Sequence, residues 1–199
     1  MRVWDPEKSK FAALCVLERE PPVLRTRILY LGAAAGTTVS FLADYAEVVY
    51  AVEFAPRPVR SLIRLAYERN NVIPLFEDAR YPERYLPFVE RVDILIQDIA
   101  QRDQVEIVLR NLVFLKNGGH LILFLKLLSM GSERKEEDMI ADAIAALENA
   151  GVTRVQMIDL NVYHTGHVAL WGVYAEEKET ENSPKQIRTA VARSRALHD

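Results

Sequence analysis

The sequence predicts an α/β domain: a seven-stranded, mostly parallel sheet with its last strand antiparallel and helices on both faces. Two observations predict it. Short apolar runs alternate with stretches of helical period, the pattern of a parallel sheet covered on both sides. The last two runs are joined by a loop too short for a crossover helix, so they pair antiparallel. A length of 199 residues suits one domain with one sizeable core.

The elements follow in order. Asp5-Pro6 reads as a helix start, since Asp caps and Pro fits the first turn, and Phe11, Leu14 and Cys15 then recur at helical spacing. Residues 27–31 form an apolar run that ends at Gly32, a buried strand. Further strands are expected over 47–52, 72–76 and 92–97. Lys116-Asn117-Gly118-Gly119 reads as a turn leading into a fifth strand over 120–125. Residues 133–149 have helical period, and Gly151 ends that helix. The last two strands are expected over 155–160 and 168–174. Residues 1–175 are assigned to the folded domain. Residues 176–199 read as a charged tail, disordered or a short helix, with a basic stretch after Pro184.

The bulk chemistry narrows the function classes. No apolar run approaches the ~20 residues of a membrane helix, and the first residues lack the apolar core of a signal peptide. Cys15 is the single cysteine, so an internal disulfide is excluded. These features lead us to expect a cytoplasmic protein without a membrane partner. The net charge of −3 does not suit a protein that grips nucleic acid unaided. An RNA substrate would need a local basic patch or partner proteins.

Candidate ligand residues gather at strand ends. The first strand runs into Gly32-Ala33-Ala34-Ala35-Gly36-Thr37-Thr38, where small residues let backbone approach a ligand and a helix opens. The G-x-x-x-G spacing departs from the dinucleotide G-x-G-x-x-G. Glu53 ends the second strand, where a carboxylate accepts from both hydroxyls of a ribose, and Phe54 offers an aromatic face to a base. Asp78-Ala79 follows the third strand, and Asp98-Ile99-Ala100-Gln101 the fourth. All of these ends lie on the carboxyl edge of the sheet, where open α/β folds bind ligands. Together with the late antiparallel strand they favour an adenosine cofactor on a Rossmann-like methyltransferase sheet, over a nicotinamide dehydrogenase.

Lys126 closes the very apolar run 121–125, an unusual place for an unpartnered lysine. Asp98 and Lys126 end neighbouring strands and are expected to pair. Lys10 on the first helix and His167 opening the last strand complete the group. In a methyl transfer from a sulfonium to a hydroxyl, most of the rate comes from in-line positioning. Removing the hydroxyl proton supplies more. Lys126 is assigned as the base, since a lysine beside a second ammonium yields its proton more readily. Asp98 is its orienting partner, and Lys10 and His167 are supporting groups. His164 and His167 form an H-x-x-H, but such a pair on a strand points to opposite faces, and a metal site is rejected.

The stretches at 30–40, 49–54, 71–74, 77–80, 98–104 and 114–120, with Arg2-Val3-Trp4-Asp5-Pro6 and Ser9-Lys10, resemble the fibrillarin family from about Arg2 to Tyr174. The resemblance implies an S-adenosylmethionine-dependent 2′-O-methyltransferase of ribosomal and transfer RNA. It implies a box C/D particle with guide RNA and target RNA, a Nop-domain scaffold protein and a kink-turn-binding ribosomal-type protein. Those partners would account for the acidic charge. The family's Lys-Asp-Lys-His tetrad falls on Lys10, Asp98, Lys126 and His167. The cofactor residues fall on Gly32, Ala33, Thr37, Thr38, Glu53, Phe54, Asp78, Ala79, Asp98 and Gln101. Four departures stand out. The family's small N-terminal subdomain has no counterpart in the match. Gly166 stands where Asp usually precedes the histidine, Leu127-Leu128-Ser129 is more apolar than the family pattern, and Arg102 replaces a proline. An alternative reading is a catalytically weak structural subunit of the same particle.

Overall fold

The computed structural model describes residues 2–17, 21–131 and 134–175. The expectation for the tail therefore lies outside the described residues, and the helix expected over 133–149 begins at Glu136, after non-helical residues 134 and 135.

The strands are β1 (Arg27–Leu31), β2 (Val48–Val52), β3 (Val72–Leu75), β4 (Val92–Gln97), β5 (Leu115–Lys126), β6 (Val152–Asp159) and β7 (His167–Tyr174). The helices are α1 (Lys10–Leu17), α2 (Thr37–Leu42), α3 (Pro56–Glu68), α4 (Gln104–Asn111), α5 (Leu127–Met130) and α6 (Glu136–Asn149). They form one seven-stranded sheet in the order β3-β2-β1-β4-β5-β7-β6. The first five strands pair parallel, and β7 runs antiparallel between β5 and β6.

Strand alternation splits the core in two. Ile28 and Tyr30 of β1 face α1, α2 and α3, packing with Phe11, Leu14, Leu42 and Leu62. Leu29 and Leu31 face the other side, with Ile107 and Val108 of α4 and Met139, Ala143 and Leu147 of α6. Every one of these side chains is at most 5% exposed, so the central strands are dry on both faces.

Two sequence expectations need correction. The first helix starts at Lys10, not at Asp5-Pro6. The Asp5 carboxylate accepts the Glu7 N–H at 2.9 Å and meets the Lys8 ammonium at 3.3 Å in a local turn, while the Ser9 hydroxyl takes the capping role by accepting from Ala12 at 3.3 Å. Residues 116–119 are not a turn before β5 but part of it. The pairing with β4 jumps from Val92↔Leu115 to Ile94↔His120, and the extra residues bulge out at Gly118, whose φ is +79°. A similar irregularity between Thr153 and Gln156, with Arg154 at φ +56°, hid the first three residues of β6.

The topology has one consequence for function. The carboxyl ends of β1 to β5 share one edge of the sheet. Because β7 is antiparallel, its first residue, His167, reaches that same edge and pairs with Lys126.

Candidate active site

β1 delivers the loop 32–36 to this edge. Gly32 has φ +82°, and a Cβ there would lie 2.5 Å from the Asp98 carbonyl oxygen, so only glycine fits between the tips of β1 and β4. The Gly32 and Ala33 amides both donate to the Val52 carbonyl at 3.0 Å, which ties the loop to β2. Glu53 is 8% exposed. Its Oε2 accepts from the Ala34 amide at 2.9 Å and its Oε1 from the Ala55 amide at 2.7 Å. The carboxylate therefore shapes the loop while its remaining lone pairs face the cleft.

That cleft is walled by Gly32, Ala34, Glu53, Phe54, Asp78, Ala79, Asp98 and Gln101 among others, so most of the expected cofactor residues meet in one place. Ala33, Thr37 and Thr38 do not line it. Ala33 is buried, and Thr37 and Thr38 open α2. Arg80, which no sequence signal marks, organises the part of the wall that carries Asp78 and Gln101. Its guanidinium donates to Asp103 at 2.7 Å, to Gln101 at 3.1 Å and to Asp78 at 3.2 Å. Hydrogen bonding to Arg80 holds the Asp103 carboxyl below its usual range despite partial burial.

The reacting centre differs from expectation in one contact. Asp98 does not pair with Lys126. Lys10 takes that place, with its ammonium 2.9 Å from Oδ1 and 3.2 Å from Oδ2. β5 outruns β4: Gln97 pairs with Leu123, so Lys126 stands three residues beyond the last paired position, past the tip that carries Asp98. His167 faces Lys126 across the β5–β7 ladder, and its Nδ1 lies 2.9 Å from the Thr165 carbonyl oxygen. Burial lowers the pKa of its imidazole, and the charge of Lys10 pushes the same way. Tyr30 of β1 adds a buried phenol to this group. Its phenol meets Thr38 and Asp98, and burial, helped by the Asp98 charge, raises its pKa well above the ordinary value. Thr38 in turn lies 3.0 Å from the Ser9 hydroxyl.

His164 is not on a strand. It sits in the turn before β7, its Nε2 2.8 Å from the Pro6 carbonyl oxygen, and its ring meets His167 edge-on at 6.1 Å. The two histidines therefore do not point to opposite faces of a strand, as the spacing suggests. Among the described residues no three His, Cys, Asp or Glu side chains gather to hold a metal ion.

The model of one protein family, Fibrillarin, matches residues 1–176. The chain belongs to the fibrillarin family. A "Fibrillarin-like rRNA/tRNA 2'-O-methyltransferase" of Methanospirillum hungatei is 71% identical over 181 residues, covering 91% of this chain and 88% of that one. A solved fibrillarin/Nop5p complex superposes with a TM-score of 0.79 at 37% identity, covering 87% of this chain and 84% of that one. Aeropyrum pernix fibrillarin, solved with natively bound S-adenosyl-L-methionine, superposes with a TM-score of 0.77 at 35% identity, covering 85% of this chain and 76% of that one.

The site suits that cofactor chemically. Buried Glu53 offers acceptors for vicinal hydroxyls, Asp78 an acceptor for an exocyclic amine, and half-exposed Phe54 a flat apolar face. Acidic groups along the cleft suit a ligand whose reactive end is a sulfonium cation. The fibrillarin departure at Gly166 is also explained. Its φ is +70°, a region that glycine and aspartate both enter. Its amide donates to Asn161 Oδ1 at 2.7 Å and its carbonyl accepts from Leu127 at 3.1 Å. The backbone that presents His167 is therefore fixed without an Asp side chain.

Proposed function

We propose that this chain transfers the methyl group of S-adenosylmethionine to ribose 2′-hydroxyls of ribosomal and transfer RNA. The observation that carries the proposal is the Lys10–Asp98 pair, set beside the Glu53 cleft at the edge where His167 faces Lys126. When bound, S-adenosylmethionine supplies an electrophilic methyl group on a cationic sulfur. Glu53 would hold the cofactor ribose, Asp78 the adenine amine and Phe54 the adenine face. The Lys126 amine would take the proton of the attacking 2′-hydroxyl. Asp98, held by Lys10, orients the reacting groups. His167 supports Lys126 from the facing strand, and its lowered pKa favours the neutral ring at neutral pH.

The acidic net charge supports delivery of RNA by partners. We assign the chain to a box C/D particle in the cytoplasm, with a guide RNA that selects the target nucleotide by base pairing. A Nop-domain scaffold and a kink-turn-binding ribosomal-type protein complete the particle. The solved fibrillarin/Nop5p complex supports the scaffold assignment. The test is methylation of a target RNA by the reconstituted particle, with and without the Nop-domain protein, next to calorimetric titration with S-adenosylmethionine. Turnover only in the guided particle is expected. Intact cofactor binding with no turnover in any combination would make the chain a structural subunit instead.

A further inference from the structure

Lys126 has an unusual backbone environment. β4 ends at Gln97, paired with Leu123, so residue 126 has no β4 neighbour to complete its ladder on that side. A strand end left this way keeps an unpaired N–H and C=O and moves more freely than the ladder behind it. Here the place of the missing strand is taken by one side chain. Gln104, the first residue of α4, is fully buried. Its Oε1 accepts from the Lys126 N–H at 3.1 Å, and its Nε2 donates to the Lys126 carbonyl at 3.2 Å. Its own carbonyl accepts from the side-chain amide of Gln97, also fully buried. A carboxamide carries one donor and one acceptor in a peptide-like plane, so Gln is suited to copying a ladder pair.

The geometry points to Gln104 as the positioning residue for Lys126. It is not part of the cleft's wall of cofactor residues, and both of its hydrogen bonds to Lys126 go to the main chain. It fixes the Cα from which the catalytic side chain projects. Burying a polar amide is costly unless it is fully paired, and the two bonds to one residue identify what the amide is there to hold. The same helix turn joins the two halves of the site. Asp103, immediately before Gln104, is bound by Arg80, which also holds Asp78 and Gln101. The floor under Lys126 and the wall of the cofactor cleft thus share one helix start.

The inference rests on Lys126 being the base, and the experiment separates the two ideas. Gln104→Met keeps the volume and removes both bonds. In the reconstituted guided particle it is expected to lower kcat by roughly 10- to 100-fold, the scale of a catalytic group displaced by about 1 Å. The KM and dissociation constant for S-adenosylmethionine should stay unchanged. Hydrogen exchange in the same variant should show lost protection at the Lys126 amide, with Leu121 to Leu123 unaffected. Gln104→Asn keeps the amide but withdraws it by one methylene, and is expected to lose turnover similarly. It serves if the Met variant does not fold. Lys126→Ala is measured alongside. A folded Gln104 variant with wild-type kcat, beside an inactive Lys126→Ala, overturns the positioning role and leaves the base assignment standing. A fall in cofactor affinity equal to the fall in rate overturns it too, by moving the effect to the cleft. If Lys126→Ala is itself fully active, the base assignment fails. The exchange result at residue 126 then decides alone whether Gln104 holds that strand end.

Discussion

Lys10 and Asp98 lie 88 residues apart in the chain, yet the Lys10 ammonium sits between the two oxygens of Asp98, 2.9 Å from one and 3.2 Å from the other. Both side chains are mostly buried, at 21% and 24% exposure, so neither charge is solvated as it would be on the surface. Removing one leaves the other uncompensated at the reacting centre. Lys10→Ala and Asp98→Ala are each expected to cut kcat in the guided methylation assay by about 10²-fold or more; Lys10→Ala should retain cofactor affinity, whereas Asp98→Ala should also weaken it, because Asp98 lines the cleft. The double variant should be little worse than either single one, because the two act as a unit. Wild-type turnover in either single variant would remove the pair from the mechanism.

Glu53 binds two loop amides as well as facing the cleft. Glu53→Ala is expected to lower S-adenosylmethionine affinity at least tenfold, or about 1.4 kcal/mol. It should also lower folding stability by about 2 kcal/mol, because two charge-assisted bonds to backbone are lost. Glu53→Gln keeps acceptor capacity for one of them and should fall between. Calorimetric titration and urea unfolding check the two effects separately. A stability loss without an affinity loss would reduce Glu53 to a loop brace.

Arg80 reaches Asp78, Gln101 and Asp103 through a planar fork of donors. Arg80→Ala is expected to raise the KM for S-adenosylmethionine about tenfold while leaving kcat within about twofold, since the residue holds the cleft wall that carries Asp78 and Gln101 and makes no bond to Lys10, Asp98 or Lys126. Arg80→Lys should restore little, because a single ammonium cannot hold three partners in that geometry. A fall in kcat at unchanged KM would contradict this role.

How far the sequence could be read depends on the range of the forces involved. Apolar period exposed every strand, because a strand dry on both faces admits few polar residues. It also placed Gly32, Glu53, Asp78 and Asp98 on one edge, since each ends such a run. The contacts across that edge were not legible. Lys126 was paired with Asp98 because their strands are neighbours, but strand order says nothing of where α1 brings Lys10. Arg80 and Gln104 escape for the same reason: Arg80 reaches Asp103 across 23 residues and Gln104 reaches Lys126 across 22, and no local spacing marks such a bond. The glycine pair at 118 and 119 suggests a turn but belongs to β5. Glycine signals an unusual backbone, and a bulge within a strand uses that freedom as well as a turn does.

His120 gives the fold a pH dependence of its own. The Trp171 indole N–H donates to His120 Nδ1 at 3.1 Å, which only a neutral ring can accept. Burial places the pKa of this ring below the ordinary 6.5. The folded state therefore binds the proton less readily than the unfolded chain. Above 6.5 both states are neutral and this group adds no slope. As pH falls below 6.5 the unfolded state is protonated first, so stability declines, until the folded ring is protonated as well. Burial of His167 acts in the same direction. Thermal melts between about pH 8 and pH 5 should show this decline, and His120→Gln should make it shallower, since Gln retains an acceptor for Trp171 without titrating. Identical slopes in both proteins would exclude His120 as a source.

Gly166 tests whether a departure from the family pattern weakens the enzyme or is neutral. Its φ of +70° requires a residue that enters the left-handed region, which glycine does freely, aspartate with little cost and β-branched residues only under strain. A Cβ there would meet the Leu128 side chain at 3.6 Å, an ordinary contact, so space does not oppose substitution. The backbone bonds to Asn161 and Leu127 need no side chain at 166. Gly166→Asp is therefore expected to fold and to methylate within about twofold of wild type. Gly166→Val should lose about 1–2 kcal/mol of stability from backbone strain alone. It should lose turnover as well, because the strained turn carries His167 on its far side. If Gly166→Asp instead raised kcat severalfold, the aspartate would have a role in orienting the histidine that Thr165 and the β5–β7 ladder do not supply in this chain.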